Sequence, residues 1–264
     1  MRIPLFHANA FTDGRFSGNP AAVCFLTSPL DDGQLRKVAA ENNLSATAFL
    51  LPSGQEYELR WFTPRCEVKL CGHATLAAAY IVLRVLDPSL ETIRFKTRFQ
   101  GVLTVNQGSD CLRMDFPALI PKPLAHAPET LYRALGQDLG VLEVMEVNET
   151  YIARLGDESA VRSLHPDPVL LEQLHPFVAL VTAPGETADF VSRYFAPSYG
   201  IPEDPVTGSA HCAWAPYWAE RLGKSRLRAR QLSERTGELW CGLEGDRVIL
   251  EGKVQFTMQA TLEI

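Results

Sequence analysis

Short runs rich in apolar, β-branched and aromatic residues follow one another along almost the whole chain. In the first half they read IPLFHANAF, AAVCFL, TAFLL, YELRWFT, IRFKT, VLTVN and CLRMDF; in the second, VLEVMEV, YIARL, VALVT, DFVSRYF, LRARQL, ELWCGL, RVILEG and VQFTMQATLEI. Their length and composition predict strands, and turn-forming triplets such as Gly108-Ser109-Asp110 and Glu244-Gly245-Asp246 predict tight connections. The chain is strand-rich.

Helical periodicity is confined to five segments, 31–43, 74–86, 128–136, 170–174 and 209–223. The second, ATLAAAYIVLRVL, is apolar around nearly its whole circumference. Such a helix is buried on every side, so a central helix wrapped by sheet is expected.

Residues 116–128, FPALIPKPLAHAP, carry four prolines after Phe116, which neither a helix nor a central strand accommodates. A domain crossover is therefore placed there. Residues 1–118 are expected to form one half, with a strand at about 253–264 returning to it, and 119–252 the other. The halves resemble each other: Cys71 to Tyr80 and Thr207 to Ala215 both pass from a glycine through small or polar residues into an alanine-rich apolar helix. Gly72 and Gly208 lie 136 residues apart, about half the chain, as an internal duplication requires.

With 264 residues, 46% of them hydrophobic, the chain is long enough for two cores. A net charge of −6 offers no basic stripe for a phosphate backbone, which argues against nucleic acid. The longest apolar runs fall short of the roughly 18 to 20 residues that span a bilayer, and the N-terminus lacks the features of a secretory signal. A cytoplasmic protein without a membrane partner is expected. The six cysteines show no CxxC pairing, which argues against a zinc cage and, in a reducing compartment, against a disulfide framework.

The candidate chemistry lies at the two glycines. A helix start leaves about four backbone N–H groups without helical partners and carries roughly half a positive charge, so it attracts anions. Gly72 and Gly208 would let a ligand approach that backbone closely. If both helices start at one crevice, the crevice binds a carboxylate. Cys71 and His73 stand at the first start; Glu203, Asp204, Thr207 and Ser209 stand at the second. A thiol, an imidazole and a carboxylate are the parts needed to move a proton on and off carbon. Taken singly, each has a structural alternative. Cys71 also reads as core filler, His73 as a packed helix end, Asp204-Pro205 as a turn and Ser209 as an N-terminal helix residue.

Taken together, GNPAAV (18–23), NNLSATAF (42–49), WFTPRCEVKLCGHATLAAA (61–79), EDPVTGSAHC (203–212) and RQLSERTGEL (230–239) resemble the PhzF-like family, named for a phenazine-biosynthesis isomerase. The resemblance implies an α+β fold similar to diaminopimelate epimerase. That fold has two pseudo-symmetric domains, each a curved, mostly antiparallel sheet around a central helix, with the site in the cleft between them. It also implies an isomerase that needs no metal or organic cofactor, moves a proton within a small carboxylate and is often a homodimer. Asn19, Ser45, Gly72, Thr207, Gly208 and Ser209 are then expected to bind substrate, and His73 and Asp204 to orient it or relay protons.

One departure stands out. Where the family places its acid/base glutamate, in the pattern N-L-S-E-T, this chain has Asn43, Leu44, Ser45, Ala46 and Thr47. Three accounts stay open: an engineered inactive variant, a natural protein that keeps only ligand binding, or a proton carried elsewhere. For the last, Cys71 is the candidate, matching the first of the two cysteines that related epimerases use, with the Asp204 region in place of the second. A thiolate there would be favoured by the helix start and by an imidazolium at His73. Lys69, where the family often has an acid, reads either as added positive charge near the site or as a solvated strand end.

Overall fold

A computed structural model of the protein describes residues 1–137 and 139–264. The chain divides into two compact units, Met1–Asp115 with Ile249–Ile264, and Phe116–Val248.

In chain order the first unit contains β1 (Arg2–Ala10), β2 (Asn19–Phe25), α1 (Asp32–Asn42), β3 (Ala46–Ser53), β4 (Glu56–Phe62), β5 (Glu67–Val68), α2 (Gly72–Tyr80), β6 (Thr92–Thr97), β7 (Gly101–Gln107) and β8 (Leu112–Pro117), which carries the chain into the second unit. Its sheet runs β1-β2-β3-β4-β6-β7-β8; β2/β3 and β4/β6 are parallel, the other pairs antiparallel, and β5 extends the edge of β4. Parallel neighbours need a crossover. Here α1 bridges β2 to β3, and α2 bridges β4 to β6.

The second unit contains β9 (Lys122–Pro123), α3 (Glu129–Leu135), β10 (Glu143–Val147), β11 (Thr150–Arg154), α4 (Glu158–Arg162), α5 (Pro168–Glu172), β12 (Val178–Pro184), β13 (Phe190–Ala196), β14 (Ile201–Asp204), α6 (His211–Leu222), β15 (Arg226–Gln231), β16 (Gly237–Glu244) and β17 (Arg247–Gly252), along which the chain returns to the first unit. Its order is β9-β10-β11-β12-β13-β15-β16 with β11/β12 and β13/β15 parallel, and β14 pairs with β13. With β1 aligned on β10 the pattern repeats, β1-β2-β3-β4-β6-β7 matching β10-β11-β12-β13-β15-β16 in both order and direction. Two short helices, α4 and α5, replace α1, and α6 occupies the position of α2.

Sequence determines where these elements begin and end. Asp31 and Gln34 form a reciprocal capping box at the start of α1, and Asn43 closes the helix in the left-handed region at φ 48°. Gly18, at φ +79°, delivers the chain into β2; a Cβ there would stand 2.5 Å from the Ala10 carbonyl oxygen. From Gly72 to Ala79 every residue of α2 is buried, as its apolar circumference requires, and the helix continues as a wider π-helical turn over Ile81–Leu86. The 74–86 segment is therefore helical throughout, with its last turns wider than expected.

The last strand, β18 (Val254–Glu263), pairs antiparallel with β1 and shifts register between His7 and Ala8. Val254 and Phe256 stand opposite Ala10 and Ala8, whereas Met258, Ala260 and Leu262 stand opposite His7, Leu5 and Ile3. Because neighbours along a strand point to opposite faces, the one-residue shift moves the apolar series from one face of β1 to the other. On the Ile3 and Leu5 face, Ala260 and Leu262 cover the cluster built with α1 residues Leu35, Val38 and Ala39. The opposite face, with Ala8 and Ala10, is the α2 side.

All six cysteines are free thiols. Among the described residues no helix is long and apolar enough to cross a membrane.

Candidate active site

The first cluster forms where α2 begins. Cys71 is the N-cap residue in extended conformation, no side chain caps the helix, and the first helical bond runs from Thr75 N–H to the Cys71 carbonyl at 3.1 Å. The backbone N–H groups of Gly72, His73 and Ala74 precede that bond, at the positive end of the helix dipole.

Around this start, Ser45 brings two segments together. Its hydroxyl donates to Asn19 Oδ1 at 2.7 Å and lies 3.2 Å from His73 Nε2. With the Ser45 proton committed to Asn19, its oxygen accepts from His73, which fixes the proton of the imidazole on Nε2. The Nδ1 lone pair then faces Cys71, whose sulfur stands 3.5 Å from Nδ1 and 3.9 Å from Nε2. The result is a directed chain from thiol through imidazole and hydroxyl to amide. Ser45 is positioned by the left-handed turn at Asn43, and Asn19 by the tight turn at Gly18.

Burial pushes the His73 imidazole down to about 3, so it is neutral at physiological pH. This corrects the expectation of an imidazolium beside Cys71. The ring has been removed from water, with no ionic partner among the described residues to hold a proton on it, and burial disfavours the charged form.

Ala46 follows Ser45 at the start of β3 and is buried. Its strand partner is Ala21, whose own partner is Ala8. Position 46 therefore lies on the α2 side of the sheet, the side of His73.

The second cluster surrounds the turn between β14 and α6. Thr207 is followed by a 3-10 turn, Gly208–Ala210, which leads into α6 without a side-chain cap and contains Ser209. Thr207 donates its hydroxyl to Asp204 Oδ2 at 2.5 Å and its N–H to Gln231 Oε1 at 2.8 Å, and its carbonyl lies 2.8 Å from His211 Nδ1. Gln231 Nε2 donates to the Asp204 carbonyl at 2.6 Å and reaches Thr207 Oγ1 at 3.2 Å, while Ser233 donates to the Pro205 carbonyl at 2.8 Å. Arg193 forks onto Glu203 at 2.7 and 2.9 Å, holding the neighbouring residue in place. Burial, followed by the Asp204 carboxylate, pushes the phenol of Tyr194 up.

Of the residues singled out in the sequence, Asn19, Ser45, Cys71, Gly72 and His73 meet in the first unit, with Ala46 adjoining them. Asp204, Thr207, Gly208 and Ser209 share the second unit's turn. Lys69 is exposed, in the connection between β5 and α2. Gln231, Ser233 and His211 lie in segments that carry the resemblance, 230–239 and 203–212, but no role is expected of them from the sequence. Gln231 left a trace, since on β15 it continues the inward series Leu227 and Ala229, where a core residue belongs.

Two sheets of one strand order, each with a buried crossover helix whose uncapped start carries polar side chains, define the diaminopimelate epimerase-like class. The fold recurs in a crystal structure of a hydroxyproline epimerase from Agrobacterium vitis (TM-score 0.62, 10% identity, 99% of this chain and 92% of that one), a likeness of fold alone. The family described as phenazine biosynthesis-like protein, PhzC-PhzF, matches residues 8–262. An uncharacterized isomerase of Pseudomonas aeruginosa is 47% identical over the full length of both chains. A crystal structure of a PhzF-family protein from Enterococcus faecalis superposes with a TM-score of 0.92 at 38% identity, covering both chains completely. The chain belongs to the phenazine biosynthesis-like, PhzF family, whose members include proteins named as isomerases.

Proposed function

We propose that the protein is an isomerase that moves a proton between carbons of a small carboxylate, using its own side chains as acid and base. The observation that carries this reading is the directed chain Cys71, His73, Ser45 and Asn19 at an uncapped helix start, in a chain of this family. Once ionised, the Cys71 sulfur takes a proton from one carbon and returns it to another, while the neutral His73 imidazole orients the resting thiol as a hydrogen-bond acceptor and does not hold the proton. Cys71 carries the proton in place of the family's glutamate; His73 Nδ1 accepts from the thiol; Asp204 orients the substrate. Each uncapped helix start, at Gly72 in the first unit and at Gly208 and Ser209 in the second, offers backbone N–H groups to a carboxylate. The active form is a homodimer in the cytoplasm.

Exchange of carbon-bound hydrogen in D₂O, followed by NMR over a panel of amino acids, hydroxy acids and cyclohexadiene carboxylates, tests the assignment. The protein should exchange at least one panel member, and Cys71→Ser should lose roughly 10²-fold or more. Full exchange by Cys71→Ser would remove the thiol from the mechanism.

A second reading is favoured by Ala46 itself: a protein on this scaffold that binds a small carboxylate without turning it over. Under it, panel members raise the melting temperature yet show no exchange.

A further inference from the structure

Thr207 has each of its polar atoms engaged, and Gln231 meets both its N–H and its hydroxyl oxygen. Gln231 is buried, and its amide has one consistent orientation. Oε1 must face the Thr207 N–H at 2.8 Å, so Nε2 faces the Asp204 carbonyl at 2.6 Å and Thr207 Oγ1 at 3.2 Å. A donor already directed at Oγ1 leaves the Thr207 hydroxyl proton a single productive acceptor, Asp204 Oδ2 at 2.5 Å. His211 closes the arrangement from α6. Its Nδ1–H donates to the Thr207 carbonyl at 2.8 Å, while its buried Nε2 has no partner among the described residues.

We propose that Gln231 is a positioning residue, acting through Thr207 to keep a hydrogen-bond donor permanently on the Asp204 carboxylate and so hold Asp204 ionised and fixed in orientation. A carboxylate that always receives a donor serves as an anionic orienting group, whereas one left to titrate near neutrality would serve as a general acid. The inference deepens the reading of Asp204 given above and rests on it only for the role of Asp204 in turnover.

Several titratable groups flank this arrangement. Tyr194, its register partner on β13, is a buried phenol raised by burial and by Asp204 itself; Tyr199 adds to that effect. Glu203 is committed to Arg193. His211 is pushed down to about 4 by burial, so it stays neutral and is spent on Thr207.

The test needs no substrate. With the aspartate carboxyl carbons labelled with ¹³C and Asp204→Asn used for assignment, the Asp204 titration is followed by NMR in the full chain. Thr207→Val should raise the Asp204 pKa by about one to two units, the usual worth of a hydrogen bond to a charged group. Gln231→Leu should raise it in the same direction, although it removes no atom bonded to the carboxylate. Gln231→Glu, nearly isosteric and better placed to fold, should raise it too, since an ionised carboxylate in place of the amide cannot donate to Thr207. Thr207→Ser, which keeps the hydroxyl, should return the wild-type value. An unchanged Asp204 pKa in folded Gln231→Leu and Gln231→Glu, beside a shift in Thr207→Val, would overturn the role of Gln231. No shift in Thr207→Val would overturn the whole arrangement. A failed exchange assay leaves these titrations untouched, so the two readings fail separately.

Discussion

Replacing Ala46 with glutamate should produce two opposing effects that the geometry sizes in advance. Position 46 is buried, on the α2 side of the sheet, by its register with Ala21 and Ala8. A carboxyl there enters a site whose side-chain donors are already engaged: the Ser45 proton goes to Asn19, and His73 Nε2–H goes to Ser45. A buried polar group left short of partners costs about 1–3 kcal/mol, so Ala46→Glu should unfold at lower urea by that amount. Burial also raises the carboxyl pKa above its unfolded value near about 4.3. The folded variant then holds a proton that the unfolded chain releases, and the deficit should grow as pH rises from about 4.5 to about 8.

Against that loss stands a gain in turnover. A positioned acid/base typically contributes roughly 10²- to 10⁴-fold, or about 3–5 kcal/mol of transition-state stabilisation at about 1.36 kcal/mol per decade. The assay compares hydrogen exchange in D₂O by the protein and by Ala46→Glu, on a panel member shown by thermal shift to bind both. A variant that is folded, binds that ligand and exchanges it within about threefold of the parent would refute the inference that a carboxyl at position 46 reaches the reacting carbon and adds to the proton transfer of Cys71. A variant as stable as the parent at about pH 8 would refute the burial argument.

Other expectations follow from the same geometry. His73 and His211, pushed by burial to about 3 and about 4, are neutral in the folded chain, while their unfolded counterparts protonate near 6.5. Stability present above pH 6.5 should therefore be lost as pH falls toward these values, by up to roughly 1.4 kcal/mol per pH unit for each histidine. Urea midpoints between about pH 6.5 and about pH 5 check this. His211→Asn, which retains a donor toward Thr207, should lower the slope by about one proton, and an unchanged slope would contradict the assignment. At Gly252 an added Cβ would stand 2.8 Å from Phe11 Cε1 and 3.1 Å from Leu76 Cδ2, in a buried corner. Gly252→Ala should accordingly cost about 1–3 kcal/mol by calorimetry, and a neutral result would mean that Phe11 repacks freely.

Much of this architecture is legible in the chain because the strongest sequence signals are local. The all-apolar helix after Gly72 and its partner after Gly208 exposed the repetition, and the matching strand order of the two sheets is its three-dimensional form. The first cluster was legible as well, since Cys71 and His73 are neighbours in sequence. What stayed hidden depends on pairings between distant segments. VQFTMQATLEI alternates without a break, so read alone it predicts one apolar face along its full length. The bulge opposite His7 and Ala8 divides that face between two sides of β1, and nothing within the strand announces it, because register belongs to the pair.

Gln231 shows the same limit at the level of chemistry. A glutamine at an inward position of a strand is costly unless its amide is satisfied, so the anomaly itself marks a buried polar partner. Which partner is a different matter, since Thr207 lies 24 residues away in sequence and presents a backbone N–H, which any residue but proline would supply. The composition of a site can be read along the chain, but the direction of its hydrogen bonds cannot. In the proposed mechanism that direction matters: the same asparagine, serine, histidine and cysteine, with the Ser45 proton turned toward His73 instead of Asn19, would place the imidazole proton on Nδ1 and close the lone pair against Cys71.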